Sequence, residues 1–262
     1  IVNFISRHFS GPILLHIRAR ILDKDWKNPV TRNMIRRMLQ NKKVIVLGDA
    51  LQRDVHNCVP AQDIYVLPNA ITNDIRDTEL QKILTTREKN TQLELLFLSN
   101  MEKTKGWFKV LAACNILHKR NVDFRCHFVG AWQSRDDEKL FRNYVVEHKL
   151  QKHVTYHGKQ TGSGKHNILA KTDILLFPTE YPLETFGRVI IEGMMYGIPV
   201  IANNHGTVSQ IVDDKKTGFV LQKNTPEEIA THIMTLQDAK LRKKMGLSGR
   251  EKFLKEFEMK QY

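Results

Sequence analysis

The sequence predicts an α/β protein built on a doubly wound parallel sheet. From residue 93 onward, short apolar runs alternate with amphipathic helical stretches at the spacing of successive strand–helix units. Runs such as DILLF (173–177) are apolar on both faces, as strands covered by helices on both sides must be. Composition is that of a soluble globular chain, 41% hydrophobic and 26% charged, and no apolar run approaches the roughly 20 residues of a membrane span.

Taken in order, ILLHIR (13–18) reads as a first strand. A basic helix follows near 30–40, then strands VIVLGD (44–49) and IYVLPN (64–69). Three strands make a thin sheet, marginal as a domain by itself. The polar stretch TTREKNTQ (85–92) reads as the end of a connection. Beyond it the expected strands are 93–99, 123–130, 153–158, 173–178, 198–202 and 218–221. The expected helices are 107–120, 138–150, 188–197 and 226–238. This organisation predicts two domains, 1–92 and 93–262. In such sheets ligands sit outside the carboxyl ends of the strands.

The net charge is +13, and the basic excess is denser over residues 1–92 than beyond them. TRNMIRRMLQNKK (31–43) carries five basic residues and no acid. Such a surface suits phosphate esters, an anionic lipid surface or nucleic acid, and a solvated basic face accounts for it equally well. Apolar Val30, Met34, Ile35, Met38 and Leu39 recur there at helical spacing, with Arg32, Arg36 and Arg37 elsewhere around the wheel. That pattern fits a core-facing helix with a basic outer face, or an amphipathic surface that leans on an anionic bilayer. Cys58, Cys114 and Cys126 show no paired or CxxC spacing, which argues against disulfides and zinc and fits a reducing cytosol. The opening IVNFISRHFSGPILLHIRAR has scattered basic residues and no clean apolar centre, so it does not read as a signal peptide.

The segment ETFGRVIIEG (184–193) places Glu184 before a helix start and Glu192 inside it. Helix N-termini offer unpaired N–H groups and the positive end of the macrodipole, so they bind phosphates. Phe186-Gly187 marks that start, and glycine lets a ligand approach the backbone. Glu192 lies roughly 7–8 Å along the axis at ~1.5 Å per residue, about the distance from a diphosphate to its ribose. Spacing alone is weak support, because glutamate pairs are common.

The longer context is specific. DILLFPTEYPLETFGRVIIEGMMYGIPVIANNHGTVSQIVDDKKTGFVL (173–221) resembles the carboxyl-terminal domain of retaining glycosyltransferases of family 4, which have the GT-B fold. Their pattern P-S-x-x-E-x-F-G-x-x-x-x-E-A-x-x-x-G-x-P-V is matched by Glu184, Phe186, Gly187, Glu192, Gly197, Pro199 and Val200, with Gly206, Thr217 and Gly218 in register. The resemblance covers residues 93–250 well and 13–75 loosely. It implies two Rossmann-like domains facing a cleft, the amino-terminal one incomplete: the family's early glycine-rich loop and most of its acceptor surface are missing.

By that resemblance Glu184 contacts the donor sugar near the reacting centre and Glu192 the donor ribose. The amides of Phe186 and Gly187, with Arg188 and Val189, line the sugar and diphosphate. FLSNMEKTKGW (97–107) is similar to the family's first strand–loop–helix, G-R-x-x-x-x-K-G, so Lys105 offsets the leaving diphosphate. Asn100 stands where many relatives have arginine, and Lys103 is the alternative cation. His157-Gly158 matches the position beside the base, contacted through backbone at Gly158. His16 takes roughly the place of an amino-terminal histidine near the donor sugar. LPNAI (67–71) is similar to the interdomain corner P-N-G-I, with Ala70 for glycine, and Gln210 replaces a frequent glutamate.

The resemblance implies sugar transfer from a UDP-, GDP- or ADP-linked donor to a saccharide or lipid-linked acceptor. It also implies that anomeric configuration is retained, and the expectation is that no cofactor or divalent metal is used and that the place is the cytoplasm or the inner membrane face. A non-catalytic nucleotide-binding fragment is the alternative. A basic nucleic-acid-binding protein is less favoured, because no aromatic-studded RNA motif or helix-turn-helix is present. GKQTGSGKH (158–166) mimics a phosphate loop, but Lys159 occupies the first glycine position and His166 that of the Ser/Thr. It reads instead as a turn before a helix at 166–171.

Overall fold

The computed structural model describes residues 13–261. The opening twelve residues, on which the signal-peptide reading largely falls, lie outside them. Contacts divide the chain into two compact units, one up to Asn69 plus Pro182–Gly187, the other Ala70–Tyr181 with Arg188 onward.

The first unit holds a three-stranded parallel sheet in the order β1-β2-β3: β1 (Leu14–Ile17), β2 (Lys43–Val46) and β3 (Ile64–Val66). Central β2 buries Val44 and Val46 completely or nearly so. Two helices, α1 (Asp23–Lys27) and α2 (Pro29–Leu39), lie between β1 and β2. Asn28 caps α2, its Oδ1 accepting from the N–H groups of Val30 (2.9 Å) and Thr31 (3.3 Å), and Pro29 takes the first helical position. The expected apolar stripe on α2 does not act as one face. Leu39 is fully buried, whereas Val30 is 68% and Met34 65% exposed. At ~100° per residue Val30 and Leu39 stand about 180° apart, so one packed face cannot take both.

The second unit is a six-stranded, wholly parallel sheet in the order β6-β5-β4-β7-β8-β9. Its strands are β4 (Leu93–Leu98), β5 (Phe124–Val129), β6 (Val154–Tyr156), β7 (Ile174–Phe177), β8 (Val200–Asn203) and β9 (Gly218–Leu221). All four residues of β7 are buried, in keeping with a strand covered on both faces. The helices are α3 (Asp77–Glu88), α4 (Trp107–Lys119), α5 (Arg135–Glu147), α6 (Gly162–Lys171), α7 (Arg188–Met195), α8 (Val208–Ile211), α9 (Pro226–Thr235) and α10 (Ala239–Glu256). One face of the sheet packs Phe97, Phe124 and Phe128 against Trp107, Leu111, Ile229 and Ile233 of α4 and α9. Strand order reverses between β4 and β7, which opens a crevice at their carboxyl ends.

Three expectations are corrected. The helix placed at 166–171 starts at Gly162. The polar stretch 85–92 is helical as far as Glu88, because α3 packs against α6 and Arg87 is buried there. The Arg87 guanidinium donates to the carbonyls of Leu169 (2.8 Å), Ala170 (3.0 Å) and Tyr196 (3.0 Å), closing the last turn of α6 and the chain just after α7. These bonds place α3 in the second unit, so contacts part the chain at Asn69–Ala70 and not near residue 92. The eighteen-residue α10 was not foreseen; its polar surface gives weak periodicity, yet it buries Met245 and Phe253.

Candidate functional site

The loops after β4 and β7 meet at the crevice and are tied together. The Glu180 N–H donates to Thr104 O (2.7 Å), and Lys109 pairs with the Glu180 carboxylate at 2.6 Å. The hydrogen bond from Lys109 holds that carboxyl below its usual range. Asn224 Nδ2 donates to Pro178 O (3.3 Å) and to Glu180 Oε1 (3.0 Å). Gly106 enters α4 at φ +87°, and a Cβ there would lie 2.5 Å from Pro178 O, so only glycine fits. Beside it the Lys105 ammonium sits 3.9 Å from the Tyr181 ring centroid, a close cation–π contact. Tyr181 is itself fixed: its carbonyl accepts from His205 Nε2 (2.8 Å) and its N–H donates to Thr179 Oγ1 (3.2 Å). Asn100 is exposed. Exposed Lys103 pairs with the largely buried Asp137 at 3.1 Å, which gives its charge a local partner.

The 182–187 segment groups with the first unit. Within it the Gly187 N–H donates to Glu184 Oε1 at 3.2 Å, Gly187 has φ +75°, and Phe186 is buried. His16 stands exposed on β1 of that unit, held below the usual imidazole range by partial burial and then by Arg18.

In the second unit Arg188, Val189 and Glu192 lie on α7, Arg188 exposed at its first position and Glu192 at its fifth. Arg188 and Glu192 line an open cleft of about 520 Å3, together with Gly162, Lys165 and His166 of α6, and with Asp74 and Tyr196. Lys165 Nζ approaches Glu192 Oε2 to 2.6 Å. That oxygen takes no contact of hydrogen-bond geometry, so the pairing is one of charge. The Tyr196 hydroxyl and His166 Nδ1 are 2.8 Å apart. Burial, reinforced by the carboxylates of Glu79, Asp74 and Glu192, pushes that phenol up to about 12, so it keeps its proton at working pH.

Gly158 follows β6, its carbonyl accepting from the Gly130 N–H (2.9 Å), with open space where a Cβ would be. Beside it runs a polar chain: His157 Nε2 to His127 Nδ1 (2.8 Å), and His127 Nε2 to Glu94 Oε2 (2.7 Å). Burial, then the adjacent His127 ring, lowers the His157 pKa. Among the described residues no three His, Cys, Asp or Glu side chains are grouped to hold a metal ion.

Sequence reasoning missed Lys165 and Tyr181. Lys165 was in view within GSGKH but set aside with that motif, and nothing local to Tyr181 marks it as the seat of a lysine.

The family described as glycosyl transferases group 1 matches residues 80–252. An uncharacterized glycosyltransferase of Methanocaldococcus jannaschii is 32% identical over 142 residues, 53% of this chain and 38% of that protein. The N-acetyl-alpha-D-glucosaminyl L-malate synthase of Bacillus anthracis is 27% identical over 238 residues, 88% of this chain and 60% of that one. Anabaena HepE, solved in complex with UDP, superposes with a TM-score of 0.82 at 19% identity, over 99% of this chain and 71% of that one. Likeness at that level shows the fold, GT-B. The chain spans between about a third and two thirds of the length of these two curated relatives.

Proposed function

The chain belongs to the glycosyl transferases group 1 family, and on that premise we propose that it moves a sugar from a nucleotide-sugar to an acceptor hydroxyl with retention of anomeric configuration. The observation that carries this reading is the cleft at the heads of α6 and α7, where Glu192 and Arg188 share one wall-lined space. In this reading Glu192 receives the ribose hydroxyls, and the first turn of α7 with Arg188, Val189 and the amides of Phe186 and Gly187 receives the diphosphate and sugar. Gly158 lies by the base. Glu184 holds donor sugar hydroxyls and His16 faces that sugar. Lys105, supported by the Tyr181 ring, offsets charge on the leaving diphosphate. Asn100 supplies at most a neutral donor, and Lys103 must leave Asp137 to take part.

The donor is a UDP-, GDP- or ADP-linked sugar, and no step is routed through a metal. In this reading residues 93–262 hold the donor and residues 1–92 belong to the acceptor side. The acceptor is a saccharide or lipid-linked, and the basic α2 rests on an anionic membrane at the cytoplasmic face. Among the described residues no helix is long and apolar enough to cross a membrane.

A panel of nucleotide-sugars scored for binding and for hydrolysis tests the reading. Wild type should bind one base class, Glu192→Ala should bind it at least about tenfold more weakly, and Glu184→Ala should bind but lose turnover. Wild-type behaviour of both variants would end it.

A further inference from the structure

The first turn of α6, Gly-Ser-Gly-Lys, goes against what a helix start favours. Glycine is a poor helix former, and a lysine near the N-terminus opposes the macrodipole, where acids are preferred. Nor does any side chain cap this end. Local conflicts of this kind are expected where a site needs particular residues, and this turn lines the cleft.

The compensation comes from another helix. Lys165 Nζ lies 2.6 Å from Glu192 Oε2, with the two side chains only 29% and 15% exposed. Among the described residues Glu192 has no other hydrogen-bond or ion-pair partner. A carboxylate offers about four acceptor positions over its two oxygens, and Lys165 engages one oxygen. Oε2 is buried beside Lys165, which leaves Oε1, with acceptor positions for two adjacent hydroxyl donors, on a side chain that lines the cleft.

We propose that Lys165 is a positioning residue for donor binding: it holds the Glu192 carboxylate so that its remaining acceptor positions meet the vicinal diol of the ribose. The inference rests on the reading that Glu192 takes the ribose. Without Lys165 the carboxylate is left mostly out of water with no ion-pair partner, and nothing fixes its rotation. The run that imitates a phosphate loop thus acts on the sugar of the nucleotide, through a glutamate, and not on the phosphates as a Walker loop does.

Calorimetric titration of the whole chain with UDP, GDP and ADP, and with the 2′-deoxy counterpart of the tightest, provides the test. Glu192→Gln should abolish the preference for ribo- over 2′-deoxynucleotide. Lys165→Met should weaken the ribonucleotide by about tenfold or more and shrink that preference in parallel. Lys165→Arg should restore both, and the Lys165→Met/Glu192→Gln double variant should bind no worse than Glu192→Gln. If Lys165→Met fails to fold, Lys165→Gln carries the same comparison. A wild-type ribo/deoxy preference in the lysine variants overturns the proposal even if their melting temperature falls, since that outcome leaves lysine with a structural role only. Should Glu192→Gln keep wild-type affinity and preference, the ribose assignment itself falls, and the two failures are told apart by which variant is silent.

Discussion

Gly106 illustrates how one residue ties the crevice together. It combines a left-handed φ of +87° with a backbone approach that leaves no room for a methyl group beside Pro178 O. Alanine there meets both the cost of that conformation, about 1–2 kcal/mol, and a clash with rigid backbone. Gly106→Ala is therefore expected to lower stability by about 2–4 kcal/mol, read as a shift in urea midpoint at unchanged slope; an unchanged midpoint would mean that the two loops are not locked. The Lys105-Gly106 pair was legible because both residues lie in one short motif. Its ring partner Tyr181 was not, because the cation–π contact joins loops from two strands that only the sheet brings side by side.

At the scale of elements, α7 was legible from its apolar run, and α6 only from residue 166 on, its first turn being read as a loop. GSGKH reads as a turn by propensity, and packing against α3, with Arg87 closing the last turn, makes it helical. The basic helix α2 is the reverse case: its periodicity was plain, but Val30 and Met34 stay exposed among arginines. Exposed apolar side chains beside cations suit an anionic bilayer surface. Replacing Arg32, Arg36 and Arg37 by glutamine should reduce binding to vesicles rich in anionic lipid, with the difference from wild type shrinking at high salt as screening takes over. Equal binding of both proteins at low salt would end the membrane proposal.

Across the whole molecule, two half-buried imidazoles set a pH dependence. Burial is the main cause that lowers the pKa values of His157 and His232 from 6.5, seconded for His157 by His127 and opposed for His232 by Glu228. For a base whose folded value is depressed, the unfolded chain binds the proton more readily. Stability is then fully present above pH 6.5 and is lost as pH falls through the folded values. The denaturation midpoint should decline on acidification below 6.5, and a His157→Gln/His232→Gln double variant should show a shallower decline over that range. Identical slopes would place the acid sensitivity elsewhere.

Local chemistry was enough to establish the parallel α/β sheet, the strands of the second unit and the glutamate-bearing start of α7. Two-faced apolar runs, the Phe-Gly turn and the spacing of Glu184 and Glu192 are all written within a few residues of one another. What pairs with those residues was settled by folding alone. Lys165 reaches Glu192 from a different helix, Tyr181 lies under Lys105 from a different loop, and Lys103 turns to Asp137. Such contacts depend on which strand lies next to which and on how the helices pack, so they depend on chain segments far apart in sequence and carry no signature within either one.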